Sequence, residues 1–215
     1  SVNAASKKST KDFIIYAHDD MYFLPKWDLI LKKEISKLKN NLFYLSGTMM
    51  GPKEHIDFDC GDSYKNFDEA KLLNNYTNYN LYDHQGTHWA PHVIHKDLWN
   101  KIDGLDENFD PGFGSDPDLN MRLWNEGVRY FKGINDCKVY HFGSISLRKK
   151  KNLVTNNGAR QFLKKWGMSI SFFKKYYLRS MQVFDAPLSD PNKKLFYYFE
   201  LWICKAKLIF LFFQK

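Results

Sequence analysis

The sequence predicts an α/β domain in which strands and helices alternate and pack in layers. Three observations point there. Short apolar runs at 13–16, 42–45, 89–94, 128–131 and 138–141 are separated by stretches with helical spacing. The first run stops at His18-Asp19-Asp20, as a strand does when it delivers polar groups to the C-terminal edge of an open sheet, where such sheets commonly bind ligands. A second acidic cluster, Ser115-Asp116-Pro117-Asp118, opens a helix-like segment and follows Gly112 and Gly114. Glycines there let a loop approach a ligand closely.

Taken in order, residues 1–11 are polar, and Lys11-Asp12 leads into a strand over 13–16 with a loop over 18–24. Pro25 suits an early helical position. Trp27, Ile30, Leu31, Ile35 and Leu38 then recur at helical spacing, while Lys32, Lys33 and Lys37 face elsewhere. Leu42 to Leu45 reads as a strand ending near Gly47. Residues 48–88 have no sustained period and read as a long insertion or a set of irregular strands; so long a stretch is more often functional than idle. Trp89 to Ile94 is strand-like, and Lys96 to Lys101 is a short helix closed by Asp103-Gly104.

Ser115 is placed as an N-cap, with Asp118 three residues later as the acidic half of a capping box. Leu119, Met121, Leu123 and Trp124 give the buried side of that helix, and Gly127 ends it. Val128 to Phe131 and Lys138 to His141 read as two short strands. Residues 157–166 and 171–178 look helical, and 185–192 is a linker. The stretch 195–213 is very apolar but is interrupted by Glu200, Lys205 and Lys207. Central charges argue against a membrane-spanning helix. An interfacial helix, or one packed on this or another subunit, is expected instead. The implied organisation is an α/β unit over 1–150, a helical extension and linker over 151–190, and an amphipathic C-terminal helix over 191–215.

The 215 residues are enough for one substantial core. The 32 Lys and Arg exceed the 24 Asp and Glu, and a net charge of +8 favours anionic partners. Nucleic acid is disfavoured, because the basic runs, such as Arg148-Lys149-Lys150-Lys151, lie apart from the aromatic-rich segment. Cys60, Cys137 and Cys204 are widely spaced, with no CxxC pair, so neither a disulfide scaffold nor a zinc knuckle is expected, and a reducing compartment fits. The start has no apolar signal-peptide region.

Adjacent Asp19 and Asp20 point to opposite sides of an extended segment, so one can face a hard divalent cation such as Mg²⁺ or Mn²⁺. Asp116, less committed to its helix than Asp118, is the better base; Asp118 can also pair with Arg122 one turn on. His141 ends a strand, where a neutral imidazole can complete a mixed O/N metal set. Each residue also has a bland reading: a solvated turn, a helix cap, a hydrogen-bonded histidine.

Their order and spacing carry a resemblance. Asp103-Gly104-Leu105-Asp106-Glu107-Asn108-Phe109, then residues 115–123, then Val139-Tyr140-His141 resemble the C-terminal half of a family 2 glycosyltransferase. Asp12 to Asp20 resembles that family's strand carrying the Asp-x-Asp signature, with Asn3 to Ser6 like the helix before it. Lys165-Trp166-Gly167 is similar to a turn in bacterial members with a helical tail. The resemblance implies a GT-A-like nucleotide-diphospho-sugar transferase fold and inverting transfer, dependent on Mn²⁺ or Mg²⁺. It implies Asp20 as metal ligand, Asp19 and His18 in the donor-binding signature, Asp116 as catalytic base and His141 at the metal or diphosphate. Trp89 and His92 fall near the acceptor, segment 48–88 shapes its pocket, and a basic side chain from 148–151 steadies the leaving diphosphate.

Three departures accompany the resemblance. His18 stands where an Asp is common, Ser115 stands where a Glu is common, and the first βαβ part, which would hold the base, is missing. A fragment of a longer polypeptide, or an unusual base pocket, is therefore expected. The partners implied are a nucleotide-diphosphate sugar and a glycan or lipid-linked acceptor. A cytoplasmic location is implied, with peripheral contact at the inner face of the cell membrane, and with homo-oligomers through the C-terminal helices. The rival readings are an inactive glycosyltransferase-like scaffold, a phosphatase or nuclease built on the same carboxylates, and a basic, aromatic-rich binding module for nucleic acid or membrane.

Overall fold

A computed structural model of the chain describes residues 2–109, 113–143 and 157–213. Gly112 and the basic run 148–151 lie outside the described residues. In chain order the elements are α1 (Val2–Lys7), β1 (Phe13–Tyr16), β2 (Met21–Phe23), α2 (Trp27–Ile35), β3 (Phe43–Gly51), β4 (Ile56–Asp57), α3 (Glu69–Asn75), β5 (His84–Gln85) and β6 (His92–His95). There follow α4 (Lys96–Lys101), α5 (Ser115–Asn125), β7 (Tyr130–His141), α6 (Gly158–Trp166), α7 (Ile170–Phe173) and α8 (Leu195–Phe213).

The architecture is mixed α/β. One sheet runs in the order β1-β6-β3-β7-β2, with β4 beside β3 and β5 beside β7. β3 and β7 are parallel, and β6 is antiparallel to both β1 and β3. β1, β3 and β7 therefore point the same way. Their C-terminal ends share one edge of the sheet with the N-terminal end of β6.

Strand alternation sorts side chains onto two faces. Phe43, Leu45 and Val93 pack with Leu31 of α2 on one side. Tyr44, Ile94 and Phe131 pack on the other with Leu119 and Leu123 of α5 and with the helices after residue 157, through Phe162, Phe172 and Tyr197. Each large apolar side chain buried this way contributes roughly 1.5–3 kcal/mol before entropy is charged against it.

Several boundaries differ from the sequence reading, each for a physical reason. Pro25 lies in a turn ahead of α2, because the Leu24 N–H still donates to Lys138 O across the sheet at 3.2 Å. Lys26, at φ 68°, then turns the chain into the helix. The two strands expected at 128–131 and 138–141 are one, and β3 follows it to Gly51, with a register shift between Gly47 and Thr48. β6 begins at His92 rather than Trp89, since Pro91 has no N–H for the ladder. Residues 48–88 hold β4, α3 and β5; α3 starts where the Asp68 side chain accepts the Lys71 N–H at 2.8 Å. The helix expected over 171–178 is α7 followed by a π turn over Lys174–Leu178.

The capping box at Ser115 does not form. The N-cap of α5 is Gly114, at φ 87°, with no side-chain cap bond. Asp118 is fully buried and accepts from Arg122 Nε at 2.9 Å and Trp166 Nε1 at 2.8 Å, with Lys165 Nζ at 2.7 Å. Buried, charge-assisted bonds hold a carboxylate more strongly than an exposed cap does. Asp118 thus fastens α6 to α5.

Candidate metal centre

The shared sheet edge gathers the polar residues. Tyr16 ends β1 opposite His92, the first residue of β6. The segment 17–20 then crosses the edge to β2, where Met21 pairs with His141 at the end of β7. The Phe142 N–H donates to Asp20 O at 3.0 Å, which fixes the end of that crossing. Gly51 allows the ends of β3 and β7 to close on each other: a Cβ there would sit 2.4 Å from His141 O.

Two sets of side chains result. His18, Asp20 and His141 offer ligand atoms within 4.8 Å of one another, and so do His18, His92 and Asp116. Either cluster could coordinate a metal ion. His18 belongs to both, its ring 6.4 Å from that of His141 and 6.5 Å from that of His92, centre to centre. Asp20 is partly buried and Asp19 exposed; the two sit in a turn between β1 and β2, not in the extended segment expected of them.

In the first set, His141 Nε2 lies 3.3 Å from Asp20 Oδ2, and Nδ1 lies 2.6 Å from Glu54 Oε1. The Asp20 and Glu54 carboxylates together push the His141 ring up to about 9. In the second, His92 Nε2 lies 3.4 Å from Asp116 Oδ1, while Nδ1 meets the Tyr44 hydroxyl at 2.5 Å. The Tyr16 ring stacks on His92 at 5.1 Å. Burial pushes the Asp116 carboxyl up, but His92, His18 and His88 outweigh it and hold the group below the usual carboxylate range. Burial, together with His92 and His141, lowers His18 against the pull of Asp116 and Asp20. A neutral imidazole has the lone pair that a ligand needs.

The donor set fits a cation. His92 Nε2 and His141 Nε2 are buried and find no hydrogen-bond partner of good geometry among the described residues; each faces a carboxylate oxygen instead, at 3.4 and 3.3 Å. A cation between ring and carboxylate could satisfy both, and at His141 it would displace the proton that the two carboxylates keep on the ring at neutral pH.

No protein-family model matches this chain, and a search of curated proteins returns no match. Of the residues singled out in the sequence, His18, Asp20, His92, Asp116 and His141 come together at the one edge. Trp89 does not present a face to solvent: it is 7 % exposed and donates its indole N–H to Gly47 O at 2.8 Å. His92 is also buried, and it backs Asp116 from below rather than lining an outer surface.

Two residues were not visible in the sequence. Tyr44 orients His92, and Glu54 orients His141. Glu54 stands just beyond β3, so it is the first carboxylate past a strand end on the ligand edge; that position was its only signal. A carboxylate on the far nitrogen of a metal-binding histidine fixes the ring and raises its basicity, and losing such a partner typically lowers metal affinity about 10–100-fold. Glu54→Gln should weaken Mn²⁺ binding by that factor in calorimetry, with the melting temperature little changed.

Proposed function

We propose that this chain is a metal-dependent inverting glycosyltransferase with a GT-A-like fold, resembling family 2, that moves a sugar from a nucleotide-diphosphate donor to a hydroxyl acceptor. The single observation that carries this reading is the convergence of Asp20, His141 and Asp116 on one sheet edge from three distant parts of the chain. These are the residues that the motif resemblance assigns to metal and base.

A divalent cation held by Asp20, His141 and His18 would neutralise the departing diphosphate. Two imidazoles and one carboxylate suit Mn²⁺ better than Mg²⁺, which prefers all-oxygen surroundings. Asp116, ionised at neutral pH, accepts the proton of the acceptor hydroxyl as that oxygen bonds to the anomeric carbon and the bond to the diphosphate breaks. His92, fixed by Tyr44, holds the carboxylate in place. Gly114 lets the chain turn sharply just before it: its φ is 87°, and a Cβ there would sit 3.0 Å from Gly158 O. Exclusion of water by the surrounding loops matters, because hydrolysis competes with transfer.

The second cluster supports one other reading. If His18, His92 and Asp116 also bind a cation, Asp116 is a ligand rather than a base, and the chain is a two-metal hydrolase acting on phosphate esters. Mn²⁺ calorimetry separates the two. The transferase reading expects one ion per chain. Asp20→Asn should weaken it by more than the 10–100-fold typical of a supporting residue. Two ions per chain, or unchanged binding in Asp20→Asn, would remove this assignment.

A further inference from the structure

We propose that α8 seats the protein on an anionic lipid surface, lying in the plane of the headgroups. The proposal goes beyond the transferase reading and does not depend on any reaction.

α8 is 19 residues long, and among its described side chains one stripe packs on the core. Tyr197 and Cys204 are buried against the core, with Leu201, Leu208 and Leu211 partly buried beside them. These positions recur every three or four residues, as one helical stripe. The opposite stripe is equally apolar. Leu195, Phe199, Trp202, Ile209, Phe210 and Phe213 are each at least 56 % exposed. A soluble surface helix normally turns polar residues outward, and a contiguous apolar face of this size marks an interaction site.

The margins of the stripe say what covers it. At 100° per residue, Lys205 falls along one border of the outward apolar stripe and Lys207 along the other. Both are exposed, as are Lys193 and Lys194 just before the helix. Glu200 is the only acidic residue of α8, and it is engaged by Lys175 Nζ at 2.5 Å. A second copy of the helix would bring lysine against lysine along both borders. An anionic lipid surface brings lysine against phosphate instead, with the ammonium groups reaching up to the headgroups while the aromatic rings sit below them. The chain's net charge of +8 acts in the same direction. The helix does not cross the bilayer: no helix among the described residues is long and apolar enough to do so.

Flotation of the intact chain with vesicles of phosphatidylcholine alone, and of phosphatidylcholine mixed with phosphatidylglycerol, tests this. The chain should float with the mixed vesicles, weakly with the neutral ones, and less as salt is raised. Lys205→Gln together with Lys207→Gln should lower partitioning to the mixed vesicles about 30-fold, since each lysine near the surface contributes about fivefold. Trp202→Glu together with Phe210→Glu should abolish flotation while the melting temperature holds, because both side chains already face solvent. Failure of the wild-type chain to float overturns the proposal, as does equal flotation with both vesicle types or equal flotation of the variants. A dimer in light scattering that Trp202→Glu splits, without flotation, would assign the face to a second copy.

Discussion

Asp116→Asn is expected to cut sugar transfer by about 10²–10⁴-fold, the usual cost of removing a positioned base, while Mn²⁺ affinity and melting temperature stay near wild type. The side chain is 28 % exposed at the sheet edge, so it can reach a bound hydroxyl; His92 Nε2 lies 3.4 Å from its Oδ1, and the Ser115 hydroxyl donates to the same oxygen at 3.4 Å. An amide fills the same space but cannot take the proton. Asp118→Asn makes the contrast, although the two residues are neighbours on one helix. Asp118 is fully buried, and its bonds run to Arg122, Trp166 and Lys165. Loss of a charged acceptor there should cost about 2 kcal/mol of stability, with any loss of rate secondary. Steady-state kinetics paired with thermal melts separates the roles. Near-full turnover in Asp116→Asn would place the base elsewhere.

Glu34→Ala should destabilise the fold by about 1.5–3 kcal/mol, the range for a buried hydrogen bond to a charged group. The Glu34 side chain is 6 % exposed and that of Lys132 10 %. Glu34 Oε1 accepts from Lys132 Nζ at 2.7 Å and from the Tyr130 hydroxyl at 2.8 Å, and Oε2 pairs with Lys37 at 2.8 Å. Without it, Lys132 keeps Asp83, at 2.8 Å on the more exposed side of the sheet, and the face of the Phe184 ring 5.0 Å away. Burial alone would push the Glu34 carboxyl up, but Lys132, Lys37 and Tyr130 hold it down at about 2, against an ordinary 4.5. The resulting stabilisation is fully present above pH 4.5 and is lost as pH falls through about 2. It amounts to about 3 kcal/mol by linkage. Urea melts between pH 2 and 6 should show this acid limb in the wild type and a flatter one in Glu34→Gln. The same limb in both proteins would assign the acid sensitivity to other carboxylates.

The parts of this molecule that were legible in sequence are those with local signals. Helix α2 announced itself by Trp27, Ile30 and Leu31, and the helix at 195–213 by its composition. Asp20, Asp116 and His141 each stand at an element boundary, where a polar residue after an apolar run is conspicuous. What depended on tertiary pairing was not legible. Glu54 reaches His141 across 87 positions, from a segment with no period. His92 was legible only as a residue near the acceptor, until its register opposite Tyr16 placed it beside Asp116. Asp118 looked like half of a capping box because Ser115 is three residues away, whereas Lys165 and Trp166, which claim it, are over forty residues on. Glu34, similarly, is one more charged residue on an amphipathic helix until β7 brings Lys132 to it.

The most direct test of the transferase account is release of nucleoside diphosphate by the intact chain. A panel of uridine, guanosine and deoxythymidine diphosphate sugars would be presented with Mn²⁺, with and without glycan acceptors. The account predicts release from one donor class that requires Mn²⁺, is stimulated by an acceptor, and is lost in both Asp20→Asn and Asp116→Asn. Binding of Mn²⁺ at Asp20 and His141 with no release from any donor, or release that persists in Asp116→Asn, would contradict it.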